Sequence, residues 1–238
     1  MTALLFCHFG YCQSIGNELL VSTGTAAIKK QYSQISAPNS RLYNGPEYIF
    51  YDKLYKIKQG HQFFNKPEVQ IGKVVYDGQL FTEVPMLYDT YLDQVVTNLP
   101  SNLFTYRLVN EKVQTFTLQG HTFVRIQAPQ LPKPTISTGF YDLLVDGDTK
   151  VYAKREKSME KRAEQGSVKI IFLESVNYFL FKDNTYYPIN NLNNFTNFFP
   201  NNKVAIQKYA RSNKLKFNKE NREASLIKIA QYNTSLAH

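Results

Sequence analysis

Tryptophan is missing from this 238-residue chain, and cysteine occurs only twice, at Cys7 and Cys12. Both thiols fall in the first dozen residues, so the rest of the chain can form no disulfide and offers no thiol nucleophile. Histidine is nearly as scarce, and no two of His8, His61, His121 and His238 stand at a metal-ligand spacing such as i, i+2 or i, i+4. No metal and no cofactor are therefore expected. The calcium-loop pattern fails as well. Asp146-Gly147-Asp148 begins it, but the remaining ligands and the closing Glu do not follow. Gly-x-Ser-x-Gly, Gly-x-Gly-x-x-Gly and Walker sequences are also lacking, which removes the usual signatures of acyl transfer and nucleotide binding. Beyond the first residues no run is long and apolar enough to cross a bilayer as a helix.

What is present is a repeated design, strand, turn, strand. It appears at Val74-Val75-Tyr76-Asp77-Gly78-Gln79-Leu80-Phe81 and at Phe116-Thr117-Leu118-Gln119-Gly120-His121-Thr122-Phe123. It recurs around Asp146-Gly147 and around Asp183-Asn184. Gly, Asn and Asp tolerate the positive φ that primed two-residue turns demand, so each segment predicts a hairpin. Tyr and Phe make up the whole 14% of aromatic residues, and they suit strands that pack on another layer. The expected fold is mainly β, α+β overall. Its antiparallel meander over residues 15–190 curls into a barrel or half-barrel, and a helical cap follows at 191–238. The turns fall at no fixed period, which disfavours a propeller or solenoid.

Within that frame Tyr48–Tyr51 reads as a strand paired with Leu54–Ile57, and Thr90–Val96 as a further strand. Pro85 calls for an edge or a bulge, because proline cannot donate to a ladder. Pro129, Pro132 and Pro134 mark an extended loop. Lys157–Gln165 is charged and favours helix, or else an exposed excursion between strands. Val168–Leu173 is expected to pair with Tyr178–Phe181, and Thr185–Ile189 to close the sheet. After Pro188 come a short helix carrying Phe195, Phe198 and Phe199, a second over Asn202–Ser212, and a third over Lys219–Leu236 capped by Asn218.

The net charge of +9 is uneven. Lys203, Lys208, Arg211, Lys214, Lys216, Lys219 and Arg222 crowd the C-terminal part, where they form either a solvated helix face or a surface for an anionic partner. Met1–Ser14 is apolar and ends in Tyr-Cys-Gln-Ser, which reads as the tail of a secretory leader despite lacking a basic start. A buried strand and lipidation at Cys12 are the alternatives.

Two segments carry a resemblance. Gly72–Val96, with its Tyr-Asp-Gly-Gln-Leu-Phe-Thr-Glu-Val-Pro centre, is similar to a pattern in uncharacterised exported proteins of Gram-negative bacteria. So is Phe179–Ile189 followed by basic helices. The resemblance implies export, to the periplasm or the outer membrane, and carries no activity, ligand or site residues with it.

The carboxylates supply the weak catalytic candidates. If Thr90–Val96 is extended, Asp89, Tyr91 and Asp93 share one face. Asp89 and Asp93 would then form an acid–base pair, one pKa raised by the other. Turn capping by these residues, with Tyr packing across strands, is the structural alternative. His121, after a hairpin glycine, is expected in an exposed turn, and His61 partly buried and hydrogen-bonded.

Three functions follow. The leading one is a non-enzymatic envelope protein whose cations Lys203, Lys208, Arg211, Lys214 and Lys216 meet anionic lipid, lipopolysaccharide or an envelope protein. The others are a hydrolase using Asp89 and Asp93, and a nucleic-acid-binding protein, the last disfavoured by export.

Overall fold

The computed structural model describes residues 42, 44–98, 104–164 and 166–236, all in the second of the chain's two compact units, Leu42–His238. Met1–Ser14 with Cys7, Cys12 and His8, the residues 15–41, and His238 lie outside the described residues.

One mixed sheet dominates. Its strands are β1 (Ile57–Gln59), β2 (Gln70–Tyr76), β3 (Gln79–Asp89), β4 (Gln94–Asn98), β5 (Thr105–Arg107) and β6 (Val113–Leu118). They continue with β7 (His121–Ile126), β8 (Gly139–Val145), β9 (Lys150–Glu164), β10 (Ser167–Lys182) and β11 (Thr185–Pro188). The spatial order is β1-β10-β9-β8-β7-β6-β2-β3-β4-β5, with β11 also on β10. Every pairing is antiparallel except β1 on β10. The chain therefore winds in two legs, because after β5 it returns to lay β6 beside β2.

Turn chemistry fixes three of the expected hairpins. Asp77-Gly78 has φ of 52° and 77°, Gln119-Gly120 has 53° and 81°, and Asp183-Asn184 has 51° and 57°. Two successive left-handed residues match the twist of the flanking strands. The fourth hairpin differs. Leu143 pairs with Tyr152 and Val145 with Val151, so the connection from Asp146 to Thr149 is a wider loop, and Gly147 is not left-handed. A Lys150–Asp146 ion pair at 2.7 Å spans it.

The aromatic strands curl around a common core. Val74, Tyr76, Phe81, Met86, Tyr88, Phe116, Phe123 and Phe140 are all buried in it. Phe116 stacks on Phe123 at 4.7 Å, and Tyr88 packs edge-on against Phe140. Burying each such side chain contributes about 1.5–3 kcal/mol. A bulge between Gly72 and Val74, opposite the left-handed Glu83, tightens the curl. Pro85 lies two residues beyond that bulge and just past the last β3–β4 pair, Met86 with Thr97, so its missing N–H disturbs no ladder. The sheet does not close. It is a half-barrel.

Three helices form the C-terminal layer: α1 (Leu192–Thr196), α2 (Lys203–Ser212) and α3 (Arg222–Ser235). Asn191 caps α1 by accepting from the Asn194 amide at 2.9 Å. Phe195, Ile206, Ala210, Leu226, Ile229 and Ala230 pack on Val145, Val151, Ala153, Tyr178 and Leu180 of β8–β10. The opposite face of these strands buries Tyr141, Tyr152 and Phe179 with Ile136, which follows the proline-rich loop.

Several local expectations are overturned. Tyr48–Tyr51 and Leu54–Ile57 do not form a hairpin. Tyr51–Leu54 is a 3-10 turn, and β1 starts at Ile57 and joins β10 instead. Thr90–Val96 is not one strand, because residues 90–93 make the β3–β4 turn and Asp93 is left-handed at φ 53°. Lys157–Glu164 is neither helix nor loop but the outer half of β9. Val168–Leu173 and Tyr178–Phe181 cannot pair, since both belong to β10, which lies along β9 from Ser167 to Phe181. Their charged residues tolerate an extended form because a long antiparallel partner supplies every inward hydrogen bond. The last helix begins at Arg222 rather than Lys219. The backbone amides of Asn221 and Arg222 donate to the Asn218 backbone carbonyl, while the Asn218 side chain accepts from the Asn221 side-chain amide.

Candidate functional site

The half-barrel is held at its seam by side chains rather than by a ladder. The Lys154 ammonium from β9 meets Asp93 at 2.7 Å and the Phe140 carbonyl at 3.2 Å. Asp93 also accepts from the Tyr88 hydroxyl at 2.6 Å and the Phe140 amide at 3.2 Å. A Cβ at Gly139 would crowd both the Asp93 carboxylate and the Lys154 ammonium and push this pair aside. Three residues along, the Lys157 amide donates to the Thr90 carbonyl. Its ammonium bonds the carbonyls of His61 and Phe63 and the Glu174 carboxylate.

Asp89 is wholly buried at the end of β3. Four donors converge on it: the Tyr48 and Tyr51 hydroxyls at 2.7 and 2.9 Å, and the Tyr91 and Leu92 amides at 2.9 Å each. Burial pushes its carboxyl above the ordinary aspartate value, and these donors offset part of that. Burial and the neighbouring Asp89 charge push both phenols far up, so they stay protonated donors. Asp89 and Asp93 thus have separate partner sets on either side of a tight turn. They share no strand face, and Asp89 lies outside the described pockets. Their observed geometry is turn capping by Asp89 and seam bridging by Asp93.

Above the seam the sheet and the helical layer leave a cleft. Its floor is Arg155–Lys157 of β9 and Glu174–Val176 of β10, with Phe64, Asn65 and Thr90 on the barrel side. Toward the helices it widens to about 380 Å³ between Glu174, Ser175, Val176, Tyr178, Lys219 and Arg222. A chain of charged groups runs beneath. His121 Nδ1 lies 2.7 Å from Asp142, Asp142 holds Arg155 at 2.6 Å, and Arg155 reaches Glu223 of α3 at 3.0 Å. The Tyr178 hydroxyl donates to the same Glu223 at 3.2 Å. Burial works against the Arg155 cation, but Glu223 and Asp142 outweigh it and raise its pKa. Tyr178 is pushed up to about 12 by burial and by Glu223. His121 is therefore not a free turn residue, because its ring is anchored on a buried carboxylate.

Chemically, a carboxylate-anchored imidazole is the base half of a nucleophilic pair. Among the described residues no hydroxyl or thiol hydrogen-bonds that ring, and no three His, Cys, Asp or Glu side chains could hold a metal. His61 stands apart from this chain. It is partly buried, as expected, and its ring lies against the Phe63 backbone.

The basic candidates lie on the helical layer. Lys208 and Arg211 are exposed on α2, and Lys214 and Lys216 are exposed in the loop before α3. Lys203 at the start of α2 donates to the Asn197 side-chain oxygen at 3.3 Å. Lys214, Lys216 and Lys228 rim a depression of about 270 Å³ floored by Leu215 and Ser225. Sequence reasoning missed the His121–Asp142–Arg155–Glu223 chain. His121 reads in the sequence only as a turn residue, and partners up to 68 residues apart carry no local signal. Comparisons with protein-family models, with curated proteins and with solved structures find no match to this chain.

Proposed function

We propose that this protein is a non-enzymatic, exported binding protein of the cell envelope whose C-terminal helical layer meets anionic lipid or lipopolysaccharide. One contrast carries the reading. Lys154, Arg155, Lys157 and Lys182 on the sheet each sit against a carboxylate, whereas Lys208, Arg211, Lys214 and Lys216 have none among the described residues. Residues 191–236 hold eight lysines and arginines against two glutamates, and Glu223 is already engaged by Arg155. Unpaired exposed cations on a rigidly docked layer suit an anionic surface. Export rests on the sequence of Met1–Ser14 and is tested by N-terminal sequencing of the mature product. The hydrolase reading required Asp89 and Asp93 to face one another, and they do not.

The binding test is sedimentation with phosphatidylcholine vesicles containing phosphatidylglycerol. Each basic residue near such a surface contributes about 1 kcal/mol. Changing Lys208, Arg211, Lys214 and Lys216 together to Gln should therefore cost about 4 kcal/mol, several hundred-fold in affinity. These side chains point to solvent, so the fold should persist. Unchanged retention of that variant on the vesicles would overturn the assignment.

A further inference from the structure

The long strand β10 is covered unevenly on the edge away from β9. β1 accompanies it as far as Ile171, opposite Gln59. β11 takes up the same edge from Phe179, opposite Pro188. Between them, Phe172 to Asn177 face no strand. Hydrogen-bonding direction alternates along a strand, and two registers fix the parity here. Lys182 and Thr185 close the last hairpin as a pair, and the Tyr178 carbonyl accepts from the Ile189 amide at 2.9 Å. Even-numbered residues therefore turn their amides and carbonyls outward. Those of Glu174 and Val176 have no backbone partner among the described residues. Glu174, Ser175 and Asn177 are exposed, and the segment contains neither proline nor a bulge, the usual protections of an open edge.

The 380 Å³ cleft opens on this same stretch, touching three consecutive residues, Glu174 to Val176. Its other wall supplies Lys219 and Arg222, neither of which pairs with a carboxylate among the described residues. We propose that the open window of β10 receives an extended acidic peptide of a partner protein, which adds as a short strand between β1 and β11. Gly60 flanks Phe172, so the open window is Leu173 to Asn177, and at about 3.3 Å per residue it takes a short strand. The sheet edge of a second copy does not fit, because β1 and β11 wall both ends of the gap and admit one slender chain. Main-chain hydrogen bonds to Glu174 and Val176 supply affinity, and Lys219 and Arg222 select Asp or Glu. This surface is separate from the Lys208–Lys216 cations and does not depend on lipid binding.

The test is to pan a displayed random heptapeptide library against the full chain, then synthesise the enriched sequences and measure them by fluorescence polarisation. Alternating β-branched residues with at least two carboxylates should be enriched. Glu174→Pro removes the outward amide while leaving the β9 bonds, and should weaken binding at least tenfold. Lys219→Glu with Arg222→Glu should do the same without touching the strand. Methylating alternate peptide amides should abolish binding, and this carries the test if Glu174→Pro fails to fold. Lys214→Gln with Lys216→Gln should leave binding intact. The proposal falls if no sequence is enriched, or if the peptides bind the Glu174→Pro and charge-reversed variants as tightly as the parent. It falls equally if only the Lys214 and Lys216 changes matter.

Discussion

Single residues here do structural work that their type alone does not announce. Asp89 reads as one of a pair of carboxylates in the sequence, yet it gathers two phenols from Tyr48–Tyr51 and two amides from the turn that follows it. Its role follows from where Tyr48 and Tyr51 arrive, which no local pattern encodes. His61 offers a sharper test. Burial first, and the Lys157 charge second, hold its pKa below the ordinary 6.5. As pH falls, the unfolded chain takes up this proton before the folded one does. The His61 contribution is thus fully present above the ordinary value and is lost as pH falls through and below it. Urea midpoints at pH 7.5 and 5.5 should show a smaller acid-side loss in His61→Gln than in the parent. An identical loss would mean that another group sets the slope.

At the scale of elements, the hairpins show what a turn dipeptide does and does not say. Gln119-Gly120 and Asp146-Gly147 look alike in sequence. Gly120 is left-handed at φ 81°, whereas Gly147 sits in a wider loop with open space around it. Gly120→Ala should accordingly cost about 1 kcal/mol of stability by chemical denaturation, and Gly147→Ala should be close to neutral. Equal costs would mean the two loops share one conformation. The β9–β10 hairpin teaches a related lesson. Lys157–Glu164 has helical composition, but each of its eight residues pairs with β10, and that ladder holds it extended. Propensity is a weak prior when a partner strand satisfies the backbone. The misplaced pairing inside β10 has the same origin, since a single strand of sixteen residues exceeds the usual length and invites division into two.

At the scale of the whole folded unit, charge and curvature act together. The half-barrel neutralises much of its own charge along the seam and beneath the cleft, and the helical layer keeps an unpaired excess. Attraction between exposed charges is screened over about 10 Å at 0.1 M salt. Vesicle retention should therefore fall steeply between 0.05 and 0.5 M salt, roughly an ionic-strength scan across the screening range. Retention that is indifferent to salt would point to apolar insertion and against the charged layer. The acidic peptide should show a milder dependence, because its main-chain hydrogen bonds are not screened in the same way.

Alternation of Tyr, Phe, Val and Leu with polar residues, punctuated by left-handed turn dipeptides, determined that this chain forms antiparallel ribbons with helices at its end. That much is local, since strand period, turn chemistry and helix stripe are set by neighbours a few residues away. Tertiary structure alone decided that β6 returns beside β2, that β1 and β11 leave a window on β10, and that His121, Asp142, Arg155 and Glu223 meet below a cleft. Those outcomes depend on which distant edges find each other as the sheet curls around its aromatic core, and a contact between residues far apart in the chain leaves no period to read.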